Sequence, residues 1–154
     1  MSQMAVIKTS SWFTKLPTGH VRIGISRGVP HQIGTYQNYR PLAPGPWFKS
    51  CATPEEYRQC YFAEILGKLD PKAVVSDLAL MADGGTPTLL CWEAPPSNPA
   101  WCHRALVSAW LFDELGLEVP EVGHEALGFG WQHPKLPPSL MRAAPIVDAR
   151  SQRQ

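Results

Sequence analysis

The sequence predicts a small three-layer α/β domain, Rossmann-like, with a mainly parallel sheet flanked by helices. Three observations predict it. Short β-branched runs and helical patterns succeed one another as strand, strand, helix, helix, strand, helix, strand. Val21, Ile23 and Ile25 alternate with His20, Arg22 and Gly24, the two-residue period of a half-buried strand. The continuous apolar run 88–92 leads through a helical pattern at 102–115 to a further strand pattern at 117–122. That succession is a right-handed βαβ crossover.

In chain order, 5–9 is a short β-branched run suited to an edge strand, and Leu16-Pro17-Thr18-Gly19 is a turn. The strand at 20–26 ends where Gly28 frees the backbone and Pro30 disfavours a helix. Residues 31–53 form a long loop carrying Tyr36, Tyr39, Arg40, Trp47 and Phe48. That many rings need a surface to lie against, which argues for order. Thr53-Pro54-Glu55-Glu56 is a helix start, with a hydroxyl cap, proline in the first turn and acids behind it. Asp70-Pro71 repeats the signal for a second helix, and Asp83-Gly84-Gly85 stops that helix. In the third helix Leu106, Trp110 and Leu111 share a face, and Gly116 ends it. Pro120 assigns the last strand to an edge. Residues 1–133 are read as one α/β domain and 134–154 as a proline-rich tail, extended or disordered.

Composition limits the function classes. The net charge of +1 provides no global field for nucleic acid, so any such contact must rest on a local patch. No apolar run reaches the roughly 18 residues of a membrane span, and Met1-Ser2-Gln3-Met4 lacks a signal peptide's layout. A cytoplasmic protein without a membrane partner is expected, its four cysteines (Cys51, Cys60, Cys91 and Cys102) as free thiols.

The chemistry-bearing residues concentrate at one strand-to-helix junction: Cys91 and Glu93 on one side, Cys102, His103 and Arg104 on the other. Open parallel sheets take their ligands at this place, because strand carboxyl ends and helix amino ends meet there. Cys102 at a helix start, with His103 and Arg104 beside it, is the residue whose thiol pKa such a setting lowers. The alternative reading of Cys91 is a packed, inert thiol. Glu93 is the candidate acid/base, its alternative a solvated or Arg-paired carboxylate. Arg27 and Arg104 are candidate anion binders. Tyr36, Tyr39, Arg40 and Trp47 are candidates to stack on and cover a base. The interval from Cys91 to Cys102 is no standard zinc spacing, so no metal and no cofactor is expected.

Three segments resemble the bacterial domain-of-unknown-function family numbered 488. They are Ile25-Ser26-Arg27-Gly28-Val29-Pro30, the Tyr-bearing helix 57–66, and Leu89-Leu90-Cys91-Trp92-Glu93 followed by Cys102-His103-Arg104. The last is the most specific, and the resemblance covers roughly residues 5–122. It implies an α/β fold and a site at the Cys-x-Glu and Cys-His-Arg residues, with a leaning toward nucleotide or nucleic-acid processing. The family usually has a helix between its first two strands, whereas about ten residues separate them here.

The reading reached is a small α/β enzyme acting on a nucleotide or nucleic acid, at a glycosidic or phosphoester bond. Glu93, Cys102 and His103 form its catalytic group, and Arg27, Arg104, Tyr36, Tyr39, Arg40 and Trp47 bind the substrate. Two alternatives stand beside it. One is a non-catalytic module binding nucleic acid or protein through the aromatic loop. The other is a thiol-dependent enzyme.

Overall fold

The computed structural model describes residues 6–31, 34–92 and 102–142. Four strands, β1 (Lys8–Ser11), β2 (His20–Gly24), β3 (Gln37–Asn38) and β4 (Thr86–Cys91), form one sheet in the order β1-β4-β2-β3. All three ladders are parallel. Three helices accompany it: α1 (Pro54–Glu64), α2 (Pro71–Ala82) and α3 (His103–Leu115). The chain is therefore a small α/β fold.

α1 and α2 start as their local chemistry requires. The Thr53 hydroxyl accepts the Glu56 N–H at 3.1 Å, and the Glu56 carboxylate reaches back to the Ala52 N–H at 2.7 Å. The first bond satisfies a donor that the first turn leaves orphaned, and the second fixes the chain entering the helix. Asp70 caps α2 through the Lys72 N–H, and Asp83 ends it in the left-handed region at φ 44°. Gly116, at φ 68°, does the same for α3 at no steric cost.

β4 is central. Thr88, Leu89 and Leu90 are fully buried, as the apolar run predicts for a strand covered on both faces. Leu89 aligns with Thr9 on one neighbour and Ile23 on the other, so their side chains share a face. Ile7, Ile23, Ile25 and Leu89 on that face join Tyr61, Val74, Leu78, Leu106, Val107 and Leu111 in a single core.

Three expectations change at the level of elements. The loop 31–53 holds β3 and two 3-10 turns, Arg40–Leu42 and Pro46–Lys49, and it buries Tyr39 and Leu42 in the core. The strand expected at 117–122 shrinks to one parallel bridge, Glu121 to Thr9, beside β1. The Thr9 N–H donates to Pro120 O at 3.0 Å and the Val122 N–H to Thr9 O at 2.9 Å. Proline has no N–H, so this edge accepts only a short ladder. The third change is the tail. Residues 134–142 are packed: Leu136 and Leu140 belong to the core, and Lys135 O accepts the Cys102 N–H at 3.1 Å. The folded unit therefore runs past 133 to at least Arg142, and the remainder of the expected tail lies outside the described residues.

Candidate functional site at the carboxyl edge of the sheet

The carboxyl ends of β2 and β4 and the amino end of α3 converge, as the sequence predicts. What they carry there differs from the expectation, and burial is the reason.

Arg104 is fully buried. It grips Glu121 with both arms, Nε to Oε1 at 2.9 Å and Nη2 to Oε2 at 2.8 Å, while Nη1 donates to Cys91 Sγ at 3.3 Å. The expectation that Arg104 holds a ligand anion is corrected: the chain's own carboxylate occupies the fork. Glu121 also accepts the Thr9 hydroxyl at 2.7 Å, and Thr9 Oγ1 lies 2.7 Å from His133 Nε2. His133 Nδ1 accepts the Lys135 N–H at 3.0 Å, which leaves the ring's proton on Nε2, donated to Thr9. Burial pushes the Glu121 carboxyl up, but hydrogen bonds and charge from Arg104, with His133 and Thr9, outweigh it and hold the group below the usual range. Burial lowers His133 to about 3, against the pull of Glu121 and with help from Arg104 and Lys135. The 3.5 Å approach of His133 to Glu121 is therefore a contact of a neutral ring, not an ion pair at neutral pH.

His103 is buried under Tyr61, their rings edge-on at 5.4 Å. Its Nε2 lies 2.8 Å from the Ile25 carbonyl, which only accepts, so Nε2 carries the proton and Nδ1 is bare. Burial lowers its pKa to about 4, against the Ile25 hydrogen bond and with the charge of Arg104. A neutral ring removes the conflict between a cation and the positive end of α3. It also removes His103 from any role that needs contact with solvent or substrate. Cys102 is joined to Cys91 in a disulfide, which overturns the expectation of free thiols at this pair and of a reactive thiolate at Cys102. Glu93 lies outside the described residues.

The binding candidates separate. Tyr39 is buried and donates to Asp77 Oδ2 at 2.7 Å, so it is a core residue. Trp47 packs edge-on against Tyr57 at 5.3 Å and donates to Glu64, on the outside of α1. Arg40 is exposed at the start of a 3-10 turn. Arg27 is exposed, donates to Pro44 O at 3.0 Å and lies over the Phe48 ring. Tyr36, directly before β3, lies edge-on against Trp12 at 5.4 Å.

Sequence reasoning missed a pair of exposed rings at the strand ends. Phe13 follows β1 and Trp92 follows β4; their rings lie 5.9 Å apart, and they are 58% and 44% exposed. The indole N–H of Trp92 donates to Gly28 O at 3.0 Å, and that of Trp12 to Ser26 Oγ at 2.9 Å, which ties both indoles to the exit of β2. Trp12 lies across Gly24, where an added Cβ would meet the indole and stand 2.6 Å from Asn38 Oδ1. The available signal was positional: large rings within two residues of a strand's last residue.

No family model, curated protein or solved structure matches the chain.

Proposed function

We propose that the chain binds a nucleobase-bearing ligand, a nucleotide or a short single strand, at the carboxyl edge of its sheet. The observation that carries this reading is the exposed Phe13–Trp92 pair at the strand ends. The solvent-facing Trp92 ring, held by its indole N–H on Gly28 O and packed against Phe13, makes a preformed stacking surface. Each base stacked on such a ring contributes about 1–3 kcal/mol. Arg27 precedes Gly28, whose carbonyl holds the Trp92 indole, and is the cation we assign to a phosphate.

An enzymatic reading narrows to Glu93, which follows Trp92 directly in the chain. Cys102, His103 and Arg104 serve the fold in this reading, and Glu93 is the acid/base for a glycosidic or phosphoester bond.

Tryptophan fluorescence during titration with nucleoside monophosphates and with a short oligonucleotide tests the site. Trp92→Ala and Phe13→Ala should each weaken binding about fivefold or more while the thermal melt stays cooperative. Unchanged affinity in both variants removes the platform. Glu93→Gln should leave affinity within about twofold and abolish any turnover found, whereas full turnover in that variant leaves binding as the only function.

A further inference from the structure

Cys91, Cys102 and His103 place two sulfurs and a ring nitrogen within 4.8 Å of one another, all buried. We infer that the reduced form of this cluster is a zinc site, with Cys91 Sγ, Cys102 Sγ and His103 Nδ1 as ligands. The inference does not depend on the nucleobase reading.

Four observations carry it. The hydrogen bond from His103 Nε2 to Ile25 O puts the bare lone pair on Nδ1, the nitrogen on the thiol side. Metal-bound imidazoles are oriented in this way by a carbonyl on their far nitrogen. Nδ1 stands 3.7 Å from Cys102 Sγ. A tetrahedral ion with Zn–S of about 2.3 Å and Zn–N of about 2.0 Å sets its sulfur and nitrogen about 3.5 Å apart, so that edge of the polyhedron is already in place. The α-carbons of the two cysteines are 7.1 Å apart, wider than the roughly 4.4–6.8 Å usual for a disulfide. Arg104 Nη1 donates to Cys91 Sγ at 3.3 Å, a hydrogen bond that orients this sulfur from outside the ligand set. Two thiolates and an imidazole suit zinc above the harder magnesium or calcium.

The disulfide and the metal exclude each other. An external dithiol reduces the Cys91–Cys102 bond: two electrons and two protons pass to the protein sulfurs, and the dithiol closes to its own disulfide. Zn²⁺ then displaces the two thiol protons and accepts the His103 Nδ1 lone pair, with no change of oxidation state. Three protein ligands, all buried, leave the fourth position of the tetrahedron to a further donor.

The test uses the full chain in a Cys51→Ser/Cys60→Ser background, because those two thiols lie beside each other and are a second place for metal. After reduction with a dithiol and anaerobic desalting, Co²⁺ is added as a spectroscopic probe. One equivalent should produce the thiolate-to-cobalt charge-transfer band with tetrahedral ligand-field bands, and Zn²⁺ should erase both. Oxidised protein should show neither. Cys102→Ser and His103→Gln should each weaken Co²⁺ binding at least about tenfold. Absence of the band in the reduced protein overturns the inference, as does cobalt binding undiminished in both variants. If the variants do not fold, the comparison of reduced with oxidised parent protein decides alone.

Discussion

At the scale of single residues, the buried quartet Thr9, Arg104, Glu121 and His133 most changes the reading of this chain. Arg104 and Glu121 are both out of water, so each depends on the other. Removing one partner leaves an uncompensated charge in the interior, which typically costs about 3–5 kcal/mol. Glu121→Gln and Arg104→Met should each lower stability by about that amount in urea denaturation. The double variant Arg104→Met/Glu121→Leu should recover much of the loss, since no lone charge remains. A single-variant loss under about 1 kcal/mol would show the pair to be solvated.

The same quartet makes stability depend on pH. His133 is held neutral in the folded protein, with a pKa of about 3, below the usual 6.5. The unfolded chain therefore binds a proton first as pH falls. Stability from this group is complete above about pH 6.5 and declines steadily toward its folded value. Glu121 is depressed as well, so its contribution is present above the ordinary carboxylate pKa and is lost in more acid solution as its folded pKa is crossed. Urea midpoints should fall from pH 7 to pH 4, and His133→Asn should flatten the part of the slope between about pH 6.5 and 4. A parent curve that is level over that range contradicts a neutral buried ring.

At the scale of elements, the starts of α1 and α2 were legible because they are local chemistry. Thr53-Pro54 and Asp70-Pro71 cap the turns that follow them, whatever the rest of the chain does. Thr53→Ala should cost about 1 kcal/mol, measured by thermal or urea unfolding, and should leave ligand binding intact. β2 carries a less obvious requirement at Gly24, because the Trp12 ring lies against it. Gly24→Ala should push that ring and its Ser26 hydrogen bond aside, changing indole fluorescence and disturbing the aromatic edge. An unaltered emission spectrum would show that the ring accommodates the methyl. The segment 117–122 illustrates the limit of pattern reading. Alternation and Pro120 identified an edge, but the length of the ladder is set by how many N–H groups β1 finds opposite it, and that is a tertiary matter.

At the scale of the whole molecule, the surprise is the segment after 123. Periodicity fades there, yet Trp131 donates to Asp113 on α3 at 2.9 Å, Gly130 N–H donates to Ser108 Oγ, and Leu136 and Leu140 enter the core. Short 3-10 turns with proline and glycine between them have no period for a sequence scan to detect, although they bury apolar side chains as a helix would. A chain ended after His133 should lose more than about 4 kcal/mol, the cost of leaving two buried leucine sites empty, and should melt without cooperativity. A melt identical to the parent's would return 134–142 to the status of a tail. No helix among the described residues is long and apolar enough to cross a membrane.

The sequence by itself determined the parallel α/β arrangement, the capped helices, the central place of β4 and the junction where chemistry-bearing residues gather. Each of these follows from neighbours in the chain: side-chain period, caps and turn residues. Only the tertiary structure decided what those residues do at the junction. Arg104 meets a carboxylate seventeen positions on, His133 reaches back to Thr9, and Cys91 faces Cys102, while Phe13 and Trp92 stay in water. Charge pairing and burial are set by what lies opposite in space, and no local pattern encodes a partner that distant.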